Sequence, residues 1–352
     1  MHGRAAALAI LTATAAQASS ITSELILNST QATDANPQSG TLTNALNGSF
    51  DLNDAWTLNA GLALTLEGQN AAASQFGQGG SVVTLLTGGA DWSPNQNLTL
   101  GTNLVVSPRS TQFAGTEVTF DAASGGQQTG DALVRSQISQ VGAGADVSWD
   151  SLGFSDFEWS LDLGIDYSHY DDDQGISEIR VGSRTETADT LRADCQSHPR
   201  RCNQSLLTAL RNTPVQQDFE RISASATATV YRDTDLTLSA DGYLYQQDPA
   251  GVGYFGLAST GRGAELPIAP LRYLLRPEAL HRFGEFSARL WLEAGQYVAG
   301  TGQGTAGIGT RLQYRFSKAW RGWVKLAAHR DVDEAGNAIR SGTVSAGVGY
   351  RW

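Results

Sequence analysis

Apolar and polar residues alternate strictly through most of the chain. The stretch Phe157-Glu158-Trp159-Ser160-Leu161-Asp162-Leu163-Gly164-Ile165-Asp166-Tyr167 shows the pattern without a break. One row is Phe, Trp, Leu, Leu, Ile, Tyr, and the other is Glu, Ser, Asp, Gly, Asp. A period of two is the signature of a β-strand with unlike faces. Similar runs occupy 56–67, 97–106, 235–245, 285–298 and 341–352. The pattern predicts fourteen strands, near 20–28, 40–52, 56–68, 81–92, 97–106, 132–149, 157–170, 215–232, 235–247, 270–282, 285–298, 304–316, 320–330 and 341–352. Twelve and sixteen are the neighbouring even counts. Parity changes near Ser139-Gln140, which predicts a bulge in the sixth strand or a later start for it.

The connections fall into two alternating classes. Short ones lie at Asn53-Asp54, 93–96, 150–156, Asp233-Thr234, Gly284 and 317–319. Long polar ones lie at 29–39, 69–80, 107–131, 171–214, 248–269, 299–303 and 331–340. A closed antiparallel transmembrane β-barrel predicts this alternation, with short periplasmic turns and longer outer loops. A soluble β-sandwich gives no reason for it. The expected fold class is therefore all-β, a single barrel domain over 19–352.

Aromatic residues gather at one level. Trp56, Trp92, Trp149, Trp159, Trp320 and Trp323 flank the short turns, and Trp352 ends the last strand on the same side. Rings with an apolar body and a polar edge settle at a membrane interface, so these seven are assigned to a girdle. Composition agrees. The 352 residues are 41% hydrophobic and 17% charged, and no apolar run is long enough for a membrane helix. Residues 1–18 read as a cleaved signal peptide, with Arg4, an alanine-rich stretch and Ala16-Gln17-Ala18 before Ser19. Net charge is −11 and there is no basic block, which argues against a nucleic-acid partner.

The final strand carries a family resemblance. Val344, Ala346, Val348, Tyr350 and Trp352 alternate outward. This resembles the C-terminal assembly signal of bacterial outer-membrane proteins, which implies export, barrel-assembly machinery as a partner, and outer-membrane lipid and lipopolysaccharide as surroundings. Fourteen-stranded fatty-acid transporters carry a long N-terminal hatch, whereas here the first strand begins almost at once. Monomeric fourteen-stranded porins are the closer analogy, on strand count. The resemblance implies a channel for small hydrophilic solutes, charged or sugar-like. No cofactor, metal or catalytic residue is expected, and oligomeric state is not assigned.

Parity places the lumen charges. Strands one to nine point Glu24, Asp51, Glu67, Asp91, Asp146, Glu158, Asp162, Asp166, Asp235 and Asp241 inward, with Arg221. Strands ten to thirteen point Arg272, Arg276, Arg282, Arg289, Arg311, Arg315, Arg321 and Lys325 inward, partly offset by Glu278, Glu285 and Glu293. An acidic wall, chiefly Glu67, Asp146, Asp162, Asp166, Asp235 and Asp241, is expected to face a basic one. Such charges either orient solutes or cross-brace the barrel. Inward Tyr231, Tyr243, Tyr245, Trp291 and Tyr297 are candidates for stacking on sugar rings.

Loop 171–214 either folds into the bore or stands outward, and Ser205–Arg211 suggests a helical turn. Its cysteines, Cys195 and Cys202, are expected to form a disulfide, as in exported proteins. Two other functions fit a barrel. One is a structural or adhesive surface protein. The other is a rim protease built on Asp166, His169, Asp171, Asp172 and Asp173, which resembles the omptin proteases. Omptins have ten strands and a second acidic pair, which this chain lacks.

Overall fold

The computed structural model describes residues 20–32, 39–67, 82–121, 126–151, 158–181, 184–198, 215–246, 271–298, 303–332, 336 and 338–352. The signal-peptide assignment, the turn expected at Ser205–Arg211, and Cys202 lie outside them.

The strands are β1 (Ser20–Ala32), β2 (Ser39–Asn53), β3 (Trp56–Glu67), β4 (Val82–Asn95), β5 (Leu98–Asp121), β6 (Gln127–Asp150), β7 (Glu158–Val181), β8 (Arg184–Thr187), β9 (Val215–Tyr231), β10 (Thr234–Tyr245), β11 (Leu271–Phe283), β12 (Phe286–Tyr297), β13 (Gly304–Arg315), β14 (Trp320–Val332) and β15 (Ala338–Arg351). Each strand except β8 pairs antiparallel with two neighbours, and β1 closes the ring on β15. β8 is a short spur on β7 alone. The barrel thus has fourteen staves, as the alternation predicts. At ~4.8 Å between strands and a tilt of ~40°, fourteen staves give a backbone diameter of about 28 Å.

The outward rows are lipid-like and exposed: Leu25 and Leu27, Leu58 to Leu66, Leu161 to Ile165, Leu236 and Leu238, Leu290 and Leu292, Val324 and Leu326. The short turns are built from the residues that suit them. Asn53 Oδ1 accepts from the backbone N–H groups of Ala55 and Trp56. Ser317 Oγ does the same for Ala319 and Trp320. Gly284 takes φ +62° in the β11–β12 turn, a conformation that costs glycine little.

The bulge lies at the expected level but on the other strand. Ser107 pairs with Gln140 and Ser110 with Ile138, so Pro108 and Arg109 stand opposite Ser139 alone. Proline has no N–H for the ladder, so β5 yields there and β6 stays regular.

Two stretches expected as loops are strand. β5 and β6 stay paired out to Asp121 and Gln127, and β7 runs on to Val181. Helix α1 (Ala188–Ser197) follows β8; Thr187 caps it, accepting from the Thr190 N–H at 3.0 Å. Both sheet faces are covered in this extension, since the consecutive residues Ala132, Leu133 and Val134 are buried. Ile176, Ile179 and Cys195 join that small core. The first part of 171–214 is therefore a continuation of the wall. Cys195 is disulfide-bonded.

Candidate functional site in the barrel lumen

The girdle assignment needs one correction. Trp56 and Trp92 stack across β3 and β4 with centroids 6.1 Å apart, and Trp320, Tyr350 and Trp352 form a chain of rings at 4.7 and 4.8 Å. Trp149 and Trp159 also stand on outward rows and are exposed. Trp323 does not join them. Val324 and Leu326 take the lipid side of β14, so Trp323 falls on the lumen row. It is buried there, donates from Nε1 to Glu24 at 2.6 Å, and lies under the Arg311 guanidinium at 4.3 Å.

Trp323 belongs to a layered basic wall on β11 to β14. Trp291 is the second aromatic layer, with Arg276 4.9 Å from its centroid and Lys325 at 5.4 Å. Glycines seat both indoles. Trp291 covers Gly309, its register partner on β13, and Trp323 covers Gly347 on β15. A Cβ at either glycine would overlap ring carbons. Glu278 accepts Arg276 at 3.3 Å and Arg289 at 3.2 Å, while Glu24 lies 3.6 Å from Arg311. Cation–π contact and ion pairing therefore hold several guanidinium groups against one wall.

Other expected basic residues sit elsewhere. Arg315 pairs with Glu285 beside the exposed β11–β12 turn, so it belongs to the turn rather than the bore. Arg272 lies in the irregular register between Leu271 and Tyr273 and is exposed.

The acidic wall is narrower than parity alone predicts. Asp91, Asp146, Asp162 and Asp166 gather across β4, β6 and β7, and the charges of the other three all act on Asp146. Glycines make room again: Asp146 lies over Gly101, and Asp166 over Gly144. Neutral donors serve these carboxylates. Asn59 donates to Asp91 at 2.6 Å, Ser148 to Asp162 at 2.5 Å, and Asn103 to Asp166 at 3.0 Å. Among the described residues none of the four makes an ion pair. Asp235 and Asp241 are corrected out of this wall. Asp235 is bonded to Arg282 at 2.5 Å, and Asp241 feels the charge of Arg276. Both offset arginines on the basic side. Glu67 ends β3, and its side chain is outside those described.

The two belts lie about six staves apart in the ring, on opposite sides of the bore and on the half nearest the short turns. The ion pairs described on the lumen side each join neighbours on one side. At ~15 Å in water a charge pair is worth only about 0.3 kcal/mol before salt screening. The walls therefore do little to brace each other, and their field falls on what lies between them.

The tyrosines expected to meet sugars are tied into the wall. Tyr231 meets Ser160 at 3.0 Å, Tyr245 donates to the Leu271 carbonyl at 3.1 Å, and Tyr297 donates to Asp331 at 2.8 Å. The rim constellation is split between the two faces of the wall, with Asp171 and Asp173 on the row of His169. β7 runs straight through it, so Asp166 faces the lumen while His169, three residues on, takes the opposite row.

No family model and no curated protein matches the chain. Solved structures do. A Pseudomonas aeruginosa FadL homologue has a TM-score of 0.51 at 12% identity, covering 94% of this chain and 89% of that one. The monoaromatic hydrocarbon channel CymD has a TM-score of 0.51 at 10% identity, covering 94% and 87%. At such identities the likeness is one of fold. With its closed ring and lipid-like outer rows, the chain is a fourteen-stranded β-barrel of the bacterial outer-membrane type.

Proposed function

We propose that this protein is a channel of the bacterial outer membrane, without enzymatic activity, that passes small charged solutes between an acidic and a basic wall. The observation that carries the reading is the pair of opposed belts. Four carboxylates with no ion partner among the described residues face a cation layer that includes Arg276, Arg289, Arg311 and Arg321. Glycines beneath Asp146, Asp166, Trp291 and Trp323 let those groups fold back onto the wall rather than toward the axis. A transverse field across a watery bore orients dipolar solutes and guides ions of each sign along its own wall. The belts offer charged solutes their counter-charges directly, while the hydroxyls of Tyr231, Tyr245 and Tyr297 are already hydrogen-bonded within the wall. Outer-membrane lipid and lipopolysaccharide surround the girdle, and the last strand serves as the signal to the assembly machinery.

Planar-bilayer recording tests the proposal. The purified barrel should give discrete conductance steps. Converting Asp91, Asp146 and Asp162 together to Asn should shift the reversal potential in a salt gradient toward anions. Silent bilayers at high protein load would refute the channel. Unchanged selectivity in the triple variant would refute the role of the acidic belt.

A further inference from the structure

Beside the acidic belt the inner wall holds a cavity of about 250 Å³. At ~30 Å³ for each water, that is space for about eight waters or an organic molecule of similar bulk. Its two sides differ in chemistry. One is apolar, from Ala63, Val83, Leu85 and Val105 on β3, β4 and β5. The other carries Asp166 and Gln140, on β7 and β6.

Gln140 is 3% exposed. Its amide nitrogen donates to Ser168 Oγ at 3.2 Å and to the Tyr170 hydroxyl at 3.1 Å. That uses both N–H groups and leaves Oε1 buried with no hydrogen-bond partner among the described residues. An unmet buried acceptor adds to the negative potential on this side of the cavity. Asp166 is a second acceptor on the same side. It takes one hydrogen bond from Asn103 and has no ion pair among the described residues. Asp146, Asp162 and Asp91 stand behind it and add to the negative potential.

Arg221 also lines the cavity, with its guanidinium 5.5 Å from the Tyr170 centroid and 5.6 Å from that of Tyr243. Asp166 and Arg221 are the charged residues of the lining, and the excess negative charge of the region comes from Asp146, Asp162 and Asp91 beyond it.

We infer that this cavity binds a small organic ammonium ion with an apolar body. The ammonium group would donate to Asp166, and the hydrocarbon part would lie on Val83, Leu85 and Val105. Burying such a body against side chains favours binding, and the charge-assisted hydrogen bond to Asp166 sets the sign of the ligand. The inference rests on the reading of the lumen as a watery bore, but binding does not require conduction.

Three probes of like size separate the alternatives: 2-phenylethylamine, 2-phenylethanol and 3-phenylpropionate. Each is titrated calorimetrically into the full barrel in detergent micelles, with folding checked by gel mobility before and after heating. The amine should bind saturably, and the alcohol and carboxylate at least tenfold more weakly. Asp166→Asn should weaken the amine at least tenfold. Ala63→Leu, which fills the cavity and leaves every charge in place, should abolish binding. Equal binding of the alcohol or the carboxylate would overturn the inference, as would an Asp166→Asn variant that binds like the parent. A barrel that binds the amine but never conducts keeps this site and loses the channel. One that conducts but binds none of the three keeps the channel and loses this site.

Discussion

Replacing Gly309 by alanine tests whether the lumen tryptophans are seated on glycine or merely near it. The added Cβ would sit within the Trp291 ring, overlapping Cζ2, Cε2 and Cη2. The backbone at Gly309 cannot retreat, because β13 is paired on both sides with β12 and β14. The indole must therefore lift into the bore. Overpacking of this kind costs about 1–3 kcal/mol. Lifting the ring also breaks its contacts with Arg276 and Lys325, each worth about 0.5–1 kcal/mol where water has access. The expected loss is about 2–5 kcal/mol. Gly242→Ala is the matched control, since a Cβ there meets nothing within 4 Å. It should be neutral or slightly stabilising, by ~0.5 kcal/mol or a little more. Reversible urea unfolding of the barrel in lipid vesicles, followed by tryptophan emission, gives both numbers. A Gly309→Ala barrel as stable as the Gly242→Ala barrel would refute the seating argument. The same variant should also conduct less, because the displaced ring occupies the bore.

Further outcomes are expected. Arg311→Ser combined with Arg321→Ser should move the reversal potential toward cations, whereas Arg315→Ser should leave it unchanged, because Arg315 is bound to Glu285 at the turn; equal effects would place Arg315 in the bore. Trp323→Phe should cost about 1–3 kcal/mol by removing the donor to Glu24, while Trp320→Phe should cost under about 1 kcal/mol, and urea unfolding that ranked them the other way would return Trp323 to the girdle. The Glu285 carboxyl lies below its ordinary range because Arg315 hydrogen-bonds to it. A depressed carboxylate contributes stability that is present above its unfolded pKa and lost as pH falls through the folded value. Unfolding midpoints of the parent should thus show a small decline in acid that Arg315→Gln abolishes, and identical acid profiles would contradict the pairing.

The fourteen staves were legible because lipid and lumen impose opposite chemistry on alternate residues, as Leu161, Leu163 and Ile165 show against Asp162, Gly164 and Asp166. Trp323 was misread because its distance from the turn was weighed above its parity; Val324 and Leu326 already marked the other row as outward. Gly309 and Gly347 carried a second signal, a missing side chain directly across from an inward indole, but register must be known to see it. Asp235 and Asp241 have the right parity and the wrong neighbours. Their partners Arg282 and Arg276 are remote in sequence and close only once β10 pairs with β11. The extension of β5 to β7 escaped notice because no bilayer dictates alternation there, and polar residues dominate 107–131.

The joint between β1 and β15 sets the terms on which the ring can close. Its eleven paired positions join residues more than 300 apart in the chain. Most of the other seams join strands that follow one another and can zip as local hairpins. Bringing the two edges together costs about 5 kcal/mol of chain entropy at that separation. In water each new backbone hydrogen bond returns only about 1 kcal/mol, so the eleven paired positions outweigh that cost by a modest margin. In hydrocarbon every unpaired edge group costs several kcal/mol, and the balance tips steeply toward closure. Insertion and ring closure are for that reason expected to be one coupled event, with the bilayer itself acting as the condensing agent for the final seam.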